Sequence, residues 1–370
     1  MKIVTIVGAR PQFIKASVVS RAINEFNKNL GALTIKEVLV HTGQHYDYNM
    51  SDIFFKEFQI SETNYNLGVK SDLHGAMTGQ MLEGIEAILL KEIPDVILVY
   101  GDTNSTLAGA LAAVKIEIPV AHVEAGLRSF NMKMPEEGNR ILTDRVSHWL
   151  FCPTEKAVKN LEDEGLFGQS ISANNPIILN VGDVMCDAAL FYSKVSRPTD
   201  EVKQLLKEVG KEFYLSTIHR AGNTESIEQL SDIMEALNKI SYSIPIVLPI
   251  HPRTKRFMEL NNLKADNIHF IDPVGYFDMI SMLKECNAVF TDSGGLQKEA
   301  YFFKKRCIIL RDETEWGELV ENGYNILASS TKEKILEAEK ALRGDSVNNW
   351  DSSLYGDGHA GEKIVDALIS

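Results

Sequence analysis

Short β-branched runs punctuate this chain from end to end, and each is followed by a segment with the spacing of an amphipathic helix. KIVTIVG, EVLVHT, DVILVYG, PVAHVE and LFCP occupy the first half; FYLSTI, PIVLPIH, AVFTD and CIILRD occupy the second. Runs that are apolar almost throughout suit strands covered on both faces, and strands separated by helical segments suit parallel pairing with crossovers. Ile14, Val18, Ala22 and Phe26 recur every four residues, as do Met77, Met81, Ile85 and Leu89, which marks the buried stripes of two helices. The pattern predicts an α/β chain built on parallel sheets.

At 370 residues and 44% hydrophobic content, the chain exceeds what one hydrophobic core organises, so two domains are expected. The turn-rich ISANNPIILNVGD, with Asn174, Asn175 and Pro176, precedes a last strand of the first series. A second Rossmann-like series starts near Phe213. A further turn, Tyr355 to Gly358, leads into a closing helix, GEKIVDALI, whose residues alone assign it to neither domain. The expected partition is 1–180, 181–356 and a terminal helix over 357–370. In open α/β sheets a ligand lies at the carboxyl ends of the strands, so the crevice between two such domains is the expected site.

The net charge of -13, from 51 acidic and 38 basic side chains, argues against nucleic acid or an anionic membrane surface as partner. No apolar stretch reaches the length of a membrane span, and MKIVTIVGARPQFIK reads as a first strand entering a helix, not a signal peptide. Cys152, Cys186, Cys286 and Cys307 are scattered, without the spacing of a zinc site or a disulfide framework, and reduced thiols suit a cytoplasmic protein.

Polar residues gather where strands end. Gly8, Arg10 and Lys15 follow the first strand, where a helix N-terminus and a guanidinium can meet a phosphate; a plain strand-to-helix turn explains the glycine equally well. Asp102 in VYGDTNST, Glu124 in HVEAGLRS and Glu136 with Glu137 in MPEEGNR reach one rim together with Arg128 and Arg140. Carboxylates and arginines in one pocket can divide into a general acid and a general base, whereas Asp102 alone would pass for a helix cap. In DSGGLQKEA, Ser293, Gly294 and Gly295 open a helix, and Glu299 is placed to accept ribose hydroxyls; the bland alternative is an N-cap. His219, beside Arg220, is a candidate proton carrier, and His251 divides evenly between that role and a structural one. His41, His45 and His122 read as neutral hydrogen-bonding groups without metal-ligand spacing, and Trp316 reads as a packing residue.

Taken in order, GARPQFIK, HTGQH, GDTNSTLAG, HVEAGLRSF, MPEEGNR, HPRT, DSGGLQKEA and RDETEW resemble the non-hydrolysing UDP-N-acetylglucosamine 2-epimerase family over almost the whole chain. The resemblance implies a GT-B-like pair of Rossmann-like domains with parallel sheets facing a central cleft, a terminal helix packed on the first domain, a UDP-sugar substrate and a homodimer. It implies interconversion of UDP-N-acetylglucosamine and UDP-N-acetylmannosamine by elimination of UDP to a 2-acetamidoglycal and re-addition, with no redox or metal cofactor. Asp102, Glu124 and Glu136 become the acid/base carboxylates, and Arg10, Lys15, Arg140 and His219 become diphosphate ligands, His219 also a proton donor. Ser293, Gly294, Gly295 and Glu299 become the β-phosphate and ribose contacts. Gly222 stands where an acidic residue is expected, and Trp316 replaces a family arginine. The start of the chain, NVGDVM and TEW resemble more closely the branch acting on UDP-2,3-diacetamido-2,3-dideoxy-glucuronate, the alternative substrate. A GT-B glycosyltransferase and a hydrolysing variant are the competing activities. Asp47, after Gln44 and His45, replaces a glutamine of the members that take UDP-N-acetylglucosamine as an activator.

Overall fold

The structure, a computed structural model, describes residues 1–29, 34–43, 63–71, 73–167, 175–261, 263, 265, 267–344, 350–351 and 353–370. Gln44, His45, Asp47 and Asn174 lie outside these residues. The chain divides into two compact units, Met1–Ala188 with Ser352–Ser370, and Ala189–Asp351.

In the first unit, β1 (Lys2–Val7), β2 (Lys36–His41), β3 (Tyr65–Asn66), β4 (Val96–Tyr100), β5 (Val120–Val123), β6 (Trp149–Cys152) and β7 (Ile177–Asn180) form one sheet in the order β3-β2-β1-β4-β5-β6-β7. Every pairing is parallel. The strand order reverses between β1 and β4, which is the topological switch point where such sheets hold their ligands. The helices are α1 (Arg10–Asn29), α2 (His74–Glu92), α3 (Asn104–Lys115), α4 (Pro135–Val146), α5 (Glu155–Asp163) and α6 (Val184–Val195), the last running past the unit boundary. Met81, Ile85 and Leu89 of α2 pack with Val4, Ile6, Ile97 and Val99, so the stripe read from the sequence is a core face.

The second unit contains α7 (Asp200–Val209), β8 (Tyr214–Thr217), α8 (Ala221–Thr224), α9 (Ile227–Ser241), β9 (Ile246–Pro249), α10 (Pro252–Leu260), β10 (Ile268–Ile271), α11 (Tyr276–Glu285), β11 (Ala288–Thr291), α12 (Gly294–Phe302), β12 (Arg306–Ile309), α13 (Gly317–Glu321), β13 (Asn325–Leu327) and α14 (Lys332–Gly344). Its sheet is parallel throughout, in the order β10-β9-β8-β11-β12-β13. Alternate residues supply two separate cores. Tyr214, Ile246, Leu248 and Phe290 face Leu230, Ile233 and Leu237 of α9. Leu215, Val247 and Val289 face Met282 and Leu283 of α11 and Leu296 and Ala300 of α12. A strand buried on both faces needs apolar residues at both parities, and this is why its sequence shows a run instead of an alternation.

The last helix, α15 (Ala360–Ile369), belongs to the first unit and packs on α1, with Gly361 close against Val18. Its first turn is held by Asp187 of α6, which is 5% exposed and accepts the Gly361 N–H at 2.9 Å. Burial raises the Asp187 carboxyl to about 6; hydrogen bonds from Gly361 and Ala360 oppose the rise, Asp183 adds to it and Arg21 opposes it. The folded chain therefore holds this proton at a pH where the unfolded chain has released it. Asp187 thus lowers stability as pH rises from about 4 to about 6, and the penalty is complete above that window. Asp187→Asn keeps an oxygen for Gly361 and cannot ionise, so the variant should gain on the order of 2 kcal/mol over wild type at about pH 8, a gain that shrinks as pH falls toward about 4. Urea unfolding of both proteins across that range checks it; a gain independent of pH contradicts it.

All four cysteines are buried free thiols, and burial pushes Cys286 up to about 12. Among the described residues, no helix is long and apolar enough to cross a membrane, and no group of three His, Cys, Asp or Glu side chains is arranged to hold a metal ion.

Candidate active site

The switch point of the first sheet is closed by a residue with no assigned role in the sequence reading. Gln12 Oε1 accepts the backbone N–H groups of Gly8 and Ala9 at 2.8 and 3.0 Å, and its Nε2 donates to Tyr100 O at 2.7 Å and Thr106 Oγ1 at 3.0 Å. One amide thus ties the end of β1 to the end of β4. Gly8 has a packing reason to be glycine: a Cβ there would lie 2.0 Å from Ser105 Oγ and 2.4 Å from Thr42 Oγ1. Arg10 opens α1 directly after this turn.

Two ion pairs stand just beyond. Lys15 Nζ pairs with Glu124 Oε2, and Arg140 Nη2 pairs with Asp102 Oδ2. Asp102 does not cap α3; Thr103 does, accepting from Thr106 N, and this leaves the Asp102 carboxyl for Arg140. The Asp102 side chain is partly buried, with a third of it exposed (33%). That burial raises its pKa; Arg140 and Lys15 pull it down and the nearby Glu124 charge pushes it up. The four residues therefore form one electrostatic cluster. Its backbone is unusual: Gly101 and Glu124 are left-handed, at φ 63° and 71°. A Cβ on Gly101 would lie 3.0 Å from Glu124 Oε2 and 3.2 Å from Lys15 Nζ, so the bare backbone gives the pair its room. For Glu124, which has a Cβ, the left-handed turn is a local strain that surrounding contacts must hold.

Of the two adjacent glutamates on α4, Glu136 is exposed and Glu137 is buried. Glu137 accepts from Ser129 N, Ser129 Oγ and Phe130 N at 2.9, 2.7 and 3.0 Å and lies 3.4 Å from Arg140 Nη1. Burial raises this carboxyl, but the Ser129, Arg140 and Phe130 contacts win and leave it below the usual value. Glu137 thus fixes the loop before α4, while Glu136 is not brought into the cluster by any described contact. Arg140 is 8% exposed along its side chain; its Nε has no hydrogen-bond partner among the described residues, and its Nη1 has the long ion pair to Glu137 but no hydrogen bond. Unspent donors on a buried guanidinium are costly unless an anion takes them.

In the second unit, the switch point lies between β8 and β11. Fully buried Asp292 organises it, accepting from His219 N, Arg220 N and Asn223 Nδ2 at 3.0–3.1 Å. His219 Nδ1 lies 3.2 Å from Asp292 Oδ1, and the ring is about half exposed. His219 lines a cavity of about 390 Å³ with Thr224, Glu225, His251, Arg253, Thr254 and Phe257. His251 caps α10, its Nδ1 accepting from Arg253 N at 3.2 Å. Ser293 caps α12, accepting from Leu296 N at 3.5 Å, which still leaves its own hydrogen to donate. Gly295 opens onto free space, whereas a Cβ on Gly294 would strike Glu315 Oε1 at 2.0 Å. Glu299 is half-buried one turn further along. Trp316 is 5% exposed, donates to Gly294 O at 2.9 Å and lies beneath Lys298 Nζ, 4.1 Å from the ring centre. It packs against the loop that opens α12.

A sequence model described as UDP-N-acetylglucosamine 2-epimerase matches residues 28–369. The UDP-2,3-diacetamido-2,3-dideoxy-D-glucuronate 2-epimerase of Pseudomonas aeruginosa is 51% identical, with 100% of this chain and 99% of that protein covered. The UDP-N-acetylglucosamine 2-epimerase of Methanocaldococcus jannaschii is 44% identical over 100% of this chain and 99% of its own. A crystal structure of the latter enzyme with UDP-GlcNAc and UDP superposes with a TM-score of 0.86, over 100% of this chain and 99% of that one. The Neisseria meningitidis enzyme bound to UDP-GlcNAc, 30% identical, gives 0.85 with both chains fully covered. These likenesses span both Rossmann-like units and assign the GT-B-like fold class. With its two parallel sheets and the match running nearly end to end, the chain belongs to the UDP-N-acetylglucosamine 2-epimerase family, whose members are isomerases.

Proposed function

We propose that this protein inverts carbon-2 of a UDP-linked 2-acetamido sugar without hydrolysing it. The observation that carries the reading is the cluster at the first switch point: Glu124 paired with Lys15, and Asp102 paired with a buried Arg140 whose Nε makes no hydrogen bond among the described residues. Carbon-2 of a pyranose has no adjacent carbonyl, so its proton is too weakly acidic for simple removal and return. Elimination avoids this difficulty. A carboxylate takes the carbon-2 proton, the C–H electrons form the C1–C2 double bond, and the C1–O bond breaks with its pair leaving on UDP. Re-addition reverses these steps with the proton delivered to the opposite face. Asp102 and Glu124 are assigned the two faces; Arg140, with Arg10 and Lys15, balances the departing diphosphate. Glu136 has no described contact with the cluster and is kept as a third carboxylate of the same reaction on resemblance alone. In the second unit, His219, Ser293, Gly294, Gly295 and Glu299 are assigned to the nucleotide, with His219 as proton donor to the leaving phosphate. The acting species is proposed to be a cytoplasmic homodimer.

The motifs alone put UDP-N-acetylglucosamine first as substrate. The 51% identity to the Pseudomonas aeruginosa enzyme favours UDP-2,3-diacetamido-2,3-dideoxy-glucuronate instead, and we take that as the physiological sugar. Both are to be incubated in deuterated water, following deuterium at carbon-2 by NMR. Faster exchange with the uronate supports this assignment, and faster exchange with UDP-N-acetylglucosamine reverses it. No exchange with either sugar, or release of free UDP in step with turnover, overturns the epimerase reading.

A further inference from the structure

His122 is wholly buried (0% exposed) on β5, and acceptors face both of its ring nitrogens. Nε2 lies 2.7 Å from Gly101 O, and Nδ1 lies 2.7 Å from Asp144 Oδ1. A carbonyl oxygen only accepts, so Nε2 carries a hydrogen. Asp144 Oδ2 already receives Arg128 Nη1 at 2.7 Å and Gly126 N–H at 3.2 Å, the contacts of a carboxylate. Its Oδ1 therefore accepts as well, and Nδ1 carries a hydrogen too. The series continues outward, with Arg128 Nε and Nη2 donating to Glu164 Oε1 and Oε2 at 2.6 and 2.9 Å. Two cations and two anions alternate, and this arrangement makes the burial of His122, Asp144 and Arg128 tolerable, with Glu164 partly exposed at the outer end.

The two ends of the His122–Asp144 pair reach the two turns that carry the candidate acid/base residues. Gly101 immediately precedes Asp102, and Gly126 follows Glu124 by two residues. Both turns are left-handed: Gly101, Glu124 and Gly126 have φ of 63°, 71° and 78°. Turns of this kind keep their direction only when their peptide groups are fixed. We infer that His122 is a doubly protonated positioning residue that, with Asp144, holds the Asp102 and Glu124 turns in register for proton transfer at carbon-2. The positioning role rests on the reading of those carboxylates as the acid/base pair. The neutral state expected for His122 from the sequence does not fit two facing acceptors.

Two substitutions separate positioning from general stability. His122→Gln can place an amide N–H where Nε2 stood and keep the bond to Gly101 O. His122→Asn reaches only as far as Nδ1, keeping Asp144 and losing Gly101. With thermal unfolding as the control for folding, the asparagine variant should lose roughly thirtyfold or more in kcat, with KM within about twofold, and the glutamine variant should recover most of that loss. Equal losses in the two variants, or a folded asparagine variant within about twofold of wild type, overturn the positioning role. The charge state has its own readout, 15N NMR of histidine-labelled wild-type protein. Two protonated-type ring signals for His122 at neutral pH support the assignment, and one unprotonated-type signal overturns it. If the wild-type protein shows no carbon-2 exchange at all, the epimerase reading fails and the positioning role falls with it, while the state of the ring is still decided by its 15N signals.

Discussion

Asp102→Asn is expected to lower turnover about a thousandfold while leaving UDP binding and unfolding temperature close to wild type. The amide occupies the same volume and its oxygen still accepts from Arg140, so the side chain's place in the cluster survives. Thr103 makes the helix cap, so α3 loses nothing. What disappears is the capacity to exchange a proton. Burial and the Glu124 charge hold the Asp102 carboxyl above its usual value, the flanking Arg140 and Lys15 charges offsetting only part of the rise, and a carboxyl so raised can be reloaded within each cycle. Deuterium exchange at carbon-2 gives the rate, and calorimetry with UDP gives the binding. Glu124→Gln should lose a similar factor and also leave Lys15 without its carboxylate, so some loss of stability accompanies it. The two substitutions together should cost far less than the product of the single effects, because once one proton-transfer group is gone the other has little left to do. A loss below about tenfold in Asp102→Asn removes that residue from the acid/base pair.

How far the site could be read from sequence follows from what each residue's neighbours are. Strands covered on both faces announce themselves as apolar runs, and the central strands of both sheets were legible for this reason. The outer strands β3, β10 and β13 escaped notice, being short or interrupted by polar residues such as His269 and Asn325. The placement of residues at strand ends, Asp102 and Glu124 among them, was legible because a parallel sheet brings all such ends to one rim. The choice between Glu136 and Glu137 was not, since adjacent helix residues point about 100° apart and only packing tells which one faces inward. Gln12, Asp292 and the His122–Asp144 pair were invisible as organisers for a different reason. Each works by filling backbone donors or acceptors from segments remote in sequence, and a single sequence carries no sign of such partners.

Gly126→Ala should destabilise the protein by about 3 kcal/mol or more, and comparison with Gly101→Ala shows why. Both glycines are left-handed, so an L side chain costs on the order of 1 kcal/mol at either place before any contact is counted. The contacts then diverge. At Gly126 the new Cβ would lie 2.3 Å from the carbonyl oxygen of Ala157 and 2.9 Å from its carbon. Those are backbone atoms inside α5, where Ala157 is buried, and they can yield only if the helix moves. At Gly101 the new Cβ meets the tips of Glu124 and Lys15 at 3.0 and 3.2 Å, which can swing aside at little cost in stability. Urea unfolding should therefore show a large loss for Gly126→Ala and a loss of about 1–2 kcal/mol for Gly101→Ala. Turnover should reverse the order of severity among molecules that remain folded, because the swing at Gly101 opens the Lys15–Glu124 pair itself. Similar unfolding losses for both variants would mean that α5 yields as readily as a side-chain tip, and the turn bearing Glu124 would then not be fixed by Gly126 against that helix.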